Sequence, residues 1–132
     1  MKNSIETSFT VSAWDETSVE EWGEGGKISR AKVKQEYSGA WEGHSHIEYT
    51  MLYTSASSAS FVGFEIFDGK VDAKQGRFVI QHIGRFESGV AKSQFQIVEN
   101  SGTDELIGIS GQGVYETTGH AQANVSLKYE IQ

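Results

Sequence analysis

Ser60-Phe61-Val62-Gly63-Phe64-Glu65-Ile66-Phe67 and Phe78-Val79-Ile80-Gln81-His82-Ile83-Gly84-Arg85-Phe86 decide how this chain folds. Successive side chains of an extended strand point to opposite faces, so every second residue shares a side. One face collects Phe61, Gly63, Glu65 and Phe67; the other run contributes Phe78, Ile80, His82, Gly84 and Phe86. Each face is apolar except for one ionisable residue, Glu65 or His82. Such a group on a core-facing position is costly unless it finds a partner. Two of them, on strands close in sequence, point to a polar pair inside an all-β core.

The same period of two runs through the chain. Ile5, Thr7, Phe9, Val11 and Ala13 form one apolar face, and Ala31, Val33, Gln35 and Tyr37 another. Ile47, Tyr49, Met51 and Tyr53 repeat it, as do Ala123, Val125, Leu127, Tyr129 and Ile131. With runs at 60–68, 77–87, 91–98 and 106–116, the pattern predicts about eight strands and no long helix. Asp68-Gly69, Lys74-Gln75-Gly76, Ser88-Gly89 and Asn100-Ser101-Gly102 read as punctuation. Closure into an antiparallel barrel removes exposed strand edges, so a single closed or nearly closed barrel over residues 1–132 is the expected architecture. The stretch 60–67 is apolar on both faces, so its outer side is expected to be covered by a loop, a short helix or a second subunit, which favours a homo-oligomer. Asp15–Lys27 carries Asp15, Glu16, Glu20, Glu21 and Glu24 around Val19 and Trp22, and reads as a solvated loop or short helix pinned by Trp22.

Composition narrows the function classes. The 132 residues include no cysteine and no proline, with 15 glycines left to make the turns. A thiolate nucleophile, a thiolate metal site and a disulfide framework are excluded. The net charge of −7 argues against nucleic acid and anionic membranes as partners. No apolar leader precedes the first strand and no stretch is long enough to cross a bilayer as a helix, so the cytoplasm is the expected location.

The predicted inner wall collects Gln35, Tyr37, Tyr49, Tyr53, Glu65, His82, Ser93, Tyr115 and Tyr129. Small barrels either fill with side chains or keep a cavity for one small ligand. Glu65 and His82 could exchange protons as acid and base, or bridge neighbouring strands and fix their register; the structural bridge is favoured. His44 and His46 share a strand face, a spacing that metal sites use, but no third ligand is evident and His120 is remote in sequence. That face alternates with the apolar one and is expected to meet solvent, so no metal is assigned. Gly108-Ile109-Ser110-Gly111-Gln112 misses the nucleophile-elbow pattern at its last position, and its glycines suit a strand bending at a barrel corner.

Four stretches also carry a family likeness: Phe9–Glu16, Ser60–Gly69, Gly76–Phe86 and Ser101–Gly111. In that order they resemble the domain of unknown function 3224 family. The resemblance implies a small bacterial protein with an allene oxide cyclase-like barrel, similar in outline to lipocalins, and no established activity. The run Gly102-Thr103-Asp104-Glu105-Leu106-Ile107-Gly108-Ile109-Ser110-Gly111 also looks like segments of allene oxide cyclase and dirigent barrels. Those are oligomers that hold hydrophobic small molecules, but the shared run is mostly turn glycine and transfers fold better than function.

Three expectations follow. The first is a barrel that binds a small, partly apolar molecule, without a cofactor, through Gln35, Tyr49, Tyr53, Glu65, His82, Ser93 and Tyr129. The second is an isomerase or cyclase with Glu65 and His82 as the acid–base pair. The third is a protein whose role is assembly.

Overall fold

A computed structural model describes residues 2–117 and 122–132. The strands are β1 (Lys2–Trp22), β2 (Gly26–Gly39), β3 (Trp41–Ser55), β4 (Ser58–Val71), β5 (Lys74–Glu87), β6 (Val90–Ile97), β7 (Ile109–Thr117) and β8 (Gln122–Ile131). Each pairs antiparallel with the next, and β8 returns to β1, so the sheet is a closed barrel. The all-β barrel expected from the alternation is the fold observed.

Register shows why the polar pair points inward. Phe61 lies opposite Gly84, Gly63 opposite His82, Glu65 opposite Ile80 and Phe67 opposite Phe78. Residues directly opposed across an antiparallel pair share a face, so Glu65 and His82 are diagonal neighbours on the inner wall. Gly63 and Gly84 are required there. A Cβ at Gly63 would strike the Glu48 carbonyl and lie 2.8 Å from the Tyr49 ring, and one at Gly84 would strike the Phe61 ring.

One end of the barrel is packed solid. The rings of Tyr37, Trp41, Phe67 and Phe78 meet in tilted and edge-to-face contacts with centroids 5.0–5.4 Å apart. Trp41 and Phe67 are wholly buried. Each such side chain contributes roughly 1.5–3 kcal/mol by leaving water, so this end anchors the fold.

Several boundaries differ from the sequence reading. Asp15–Lys27 is neither loop nor helix: β1 continues to Trp22, and the chain turns at Gly23–Gly25 into β2. The alternation was hidden by two bulges, between Val11 and Ala13 and between Ser18 and Glu20. A bulge adds one residue and switches which parity faces inward. Ala13 therefore faces out, while Trp14 opposes Val33 and Glu16 opposes Ala31. Trp22 does not pin a loop: it is about half exposed (49%) and its indole N–H reaches the Tyr53 carbonyl at 3.3 Å.

The Ser88-Gly89 turn is as expected, with both residues at positive φ between the paired Glu87 and Val90. Asp68-Gly69 and Gly76 instead lie inside paired strands, and the chain reverses at Asp72-Ala73, with φ of 48° and 70°. No glycine marks that turn. It is held by tertiary contacts: the Asp72 N–H donates to the Ala40 carbonyl, and its carboxylate accepts from the Tyr129 hydroxyl. The seventh strand begins at Ile109, because Asp104–Leu106 forms a 3-10 turn that buries Leu106. The outer side of β4 is not covered by the chain's own loops: Val62 and Phe64 remain 52% and 55% exposed.

Candidate functional site

The inner wall holds a continuous polar network across five successive strands. Glu65 on β4 is fully buried and accepts three hydrogen bonds. His82 Nε2–H on β5 donates to Oε1 at 2.6 Å, and the hydroxyls of Tyr37 on β2 and Ser45 on β3 donate to Oε2, each at 2.6 Å. His82 Nδ1 lies 3.0 Å from the hydroxyl of Ser93 on β6. Rings of Tyr49, Phe95 and Tyr115 enclose the imidazole, with centroids 5.5–5.8 Å away. Both carboxylate oxygens and both ring nitrogens are thus engaged. The arrangement ties β2 through β6 together and gives every polar atom of both side chains a partner.

Above this network the barrel is not full. A cavity of about 200 Å3 lies at the end where the β1–β2, β3–β4 and β5–β6 hairpins turn. Its floor includes Tyr49 and Tyr115, whose hydroxyls meet at 2.9 Å and whose rings also pack on His82. Phe9, Met51, Phe61 and Phe86 supply apolar wall, and Trp14 and Tyr53 form the rim. Gln35 is the exception in that wall. It is 3% exposed, and its Oε1 has no hydrogen-bond partner. Among the described residues Trp41 Nε1 shares this condition, but its ring is packed among Tyr37, Phe67 and Phe78. Two larger hollows, about 990 and 880 Å3, lie outside the barrel across β5 to β8, the larger reaching β1. Both are open troughs: Gln81, Gln94, Gln112 and Ser126 line the larger, and Arg85, Lys92, Gln94 and Ser126 the other. The interior cavity is smaller, but buried side chains wall it.

A second carboxylate, Glu16, bonds the two rim residues Trp14 and Tyr53 from behind the cavity wall. Glu16 Oε2 accepts from the buried Ser29 hydroxyl at 2.5 Å and from the Tyr53 hydroxyl at 2.8 Å, and Oε1 accepts from the Trp14 indole N–H at 3.1 Å. Burial alone would raise the Glu16 pKa, but these three hydrogen bonds and the Lys27 charge outweigh it and hold the carboxyl below its usual range. The Lys27 ammonium sits over the Tyr53 ring, 5.0 Å from its centroid. Burial pushes the Tyr53 hydroxyl up to about 12, with the bond to Glu16 adding to the shift. Burial likewise raises Tyr37, Tyr49 and Tyr115 well above the ordinary tyrosine range.

The structure divides the residues singled out in the sequence. Gln35, Tyr49 and Tyr53 line the cavity; Glu65, His82 and Ser93 lie in the network beneath it. Tyr129 is at the opposite end, bonded to Asp72. His44 and His46 are exposed on the outer face, and among the described residues no three histidine, aspartate or glutamate side chains gather to hold a metal. His120 lies outside the described residues. Sequence reasoning missed Trp14, Glu16 and Ser29. The available signal was the Trp14-x-Glu16 spacing, legible once a bulge before Ala13 is allowed.

Comparison with known proteins gives a family and no activity. No curated protein matches the chain. A crystal structure of a protein of unknown function from the DUF3224 family of Shewanella oneidensis MR-1 has a TM-score of 0.78. It shares 22% identity, with the match covering 100% of this chain and 99% of that one. The family model described as "Protein of unknown function (DUF3224)" matches residues 5–129, and the chain belongs to that family.

Proposed function

We propose that this barrel binds one small, mostly apolar molecule bearing a hydrogen-bond donor, in the cavity above Tyr49 and Tyr115. The unpartnered Gln35 Oε1 in an otherwise apolar wall carries this reading. A buried acceptor left unpaired costs roughly 1–3 kcal/mol. A bound donor recovers that cost, and the surrounding rings supply the apolar contact. The volume of about 200 Å3 sets the ligand's size. It falls short of the roughly 300–1,000 Å3 of drug-sized pockets and exceeds the ~150 Å3 that holds benzene. One ring with a short polar arm fits. Glu65 and His82 act indirectly, by fixing the rings of Tyr49 and Tyr115 that form the floor.

Calorimetric titration with benzyl alcohol tests the reading. The expected result is saturable one-to-one binding. Gln35→Leu should weaken it about tenfold, the worth of one net hydrogen bond, and Ala91→Leu should abolish it by filling the cavity. Equal affinity in all three proteins, or no saturable binding to the wild type, rejects it.

A second reading, self-association, rests on the outer face of β4 and β5, where Val62, Phe64 and Ile83 are exposed side by side. Asp68 with Arg77 and Glu87 with Arg85 flank the patch with both signs of charge, so a second copy docks without like-charge repulsion. Light scattering at high concentration should report an oligomer that Phe64→Lys dissociates; a monomer at every concentration ends this reading.

A further inference from the structure

We infer that the ligand of this cavity is a small organic amine, its ammonium held at the rim by Glu16 and its ring lodged among Tyr49, Phe61 and Met51. The inference rests on the cavity being a ligand site, as proposed above, and adds the chemical class.

Three observations converge. First, the rim carboxylate is built and held ready. Ser29, Tyr53 and Trp14 each donate to Glu16, and Tyr53 and Trp14 themselves line the cavity. These donors occupy two positions on Oε2 and one on Oε1. A carboxylate offers about four lone-pair directions, so one on Oε1 remains for a ligand N–H. Among the described residues no direct ion pair reaches Glu16; the Lys27 ammonium acts on it from beyond contact distance.

Second, the rim suits cations. The Tyr53 face already receives one ammonium, that of Lys27. Aromatic faces attract cations through the ring quadrupole, and Trp14 offers a second ring at the same opening. The chain's net charge of −7 favours cationic ligands over carboxylates, while on the β1–β2 arm itself Lys32 and Lys27 oppose Asp15 and Glu21.

Third, the interior polar atom without a partner is an acceptor, Gln35 Oε1. It calls for a second donor deeper in the ligand, or for a water carried in with it. An anionic ligand would find neither a cation inside the cavity nor a free donor on the rim carboxylate.

Three near-isosteric probes separate the possibilities: phenethylamine, phenethyl alcohol and phenylacetate, titrated into wild type and Glu16→Gln. The expected order in the wild type is amine at least about tenfold tighter than alcohol, since the ammonium adds its own charge to a bond with the carboxylate that the alcohol can also make, with no acetate binding. In Glu16→Gln the amine should lose its advantage and fall to the level at which that variant binds the alcohol. Raising salt on the wild type gives a readout free of mutation: the amine should weaken and the alcohol should not. The inference is overturned if the alcohol binds as tightly as the amine, if the amine's advantage survives in Glu16→Gln, or if salt leaves it untouched. If none of the three probes binds the wild type, the ligand-binding reading itself fails, a different outcome from loss of amine preference.

Discussion

Glu65 and His82 are costly residues made tolerable by their neighbours. Taking either away strands the other in a dry interior, and breaking a buried pair in this manner costs about 3–5 kcal/mol. Urea unfolding of Glu65→Ala and His82→Ala should show losses of that size. The double variant should lose less than the sum, because the Glu65–His82 bond is lost only once, although Tyr37, Ser45 and Ser93 lose partners in either case; additivity within about 0.5 kcal/mol would show the two to be independent. Gln35 behaves oppositely. With no partner for Oε1, Gln35→Met should leave the empty protein as stable or raise its melting temperature, while weakening ligand binding. A large drop in melting temperature would show that the amide already has a structural role. The polar pair was legible in the sequence because each residue broke an apolar face. That Gln35 would be left without a partner was not, since satisfaction depends on the rotamers of rings from several strands.

Period-two alternation revealed the elements wherever it ran unbroken, as in β4 and β5. It failed where backbone irregularity intervened. The bulges in β1 shifted the inward parity, so the acidic stretch after Trp14 read as loop although it is strand. The Asp72-Ala73 turn was invisible for a different reason: its residues carry no turn chemistry of their own and are held by Ala40 and Tyr129. Ala73 sits at φ 70°, where a Cβ costs roughly 1–2 kcal/mol. Ala73→Gly should therefore stabilise the barrel by about 1 kcal/mol, read as a rise in the thermal midpoint. A lower midpoint would mean that the entropy of the freer unfolded chain outweighs the strain relieved.

For the molecule as a whole, the strand alternation pointed to an antiparallel barrel, and the closed sheet agrees with it. Its tyrosines give the fold a pH signature. All 5 are pushed upward, chiefly by burial, Tyr53 and Tyr129 to about 12. A tyrosine with a raised folded pKa stabilises fully below its unfolded value near 10, and the contribution is lost as pH rises through the folded value. The phenolate absorbance should stay low at pH 10 and then rise together with unfolding; a tyrosine ionising near 10 in the folded protein would contradict this. At the acid end the sign reverses. Glu16 is held below its unfolded value, so its contribution is present above about pH 4.3 and fades as pH falls through the folded value.

The interior cavity as a ligand site is tested most directly by two-dimensional NMR of the labelled protein during titration with phenethylamine. Saturable shifts should appear at the Gln35 side-chain amide and at Trp14, Tyr49, Tyr53 and Phe61, with the outer troughs at Gln94 and Gln112 silent. Shifts confined to the outer troughs, or none that saturate, would contradict it.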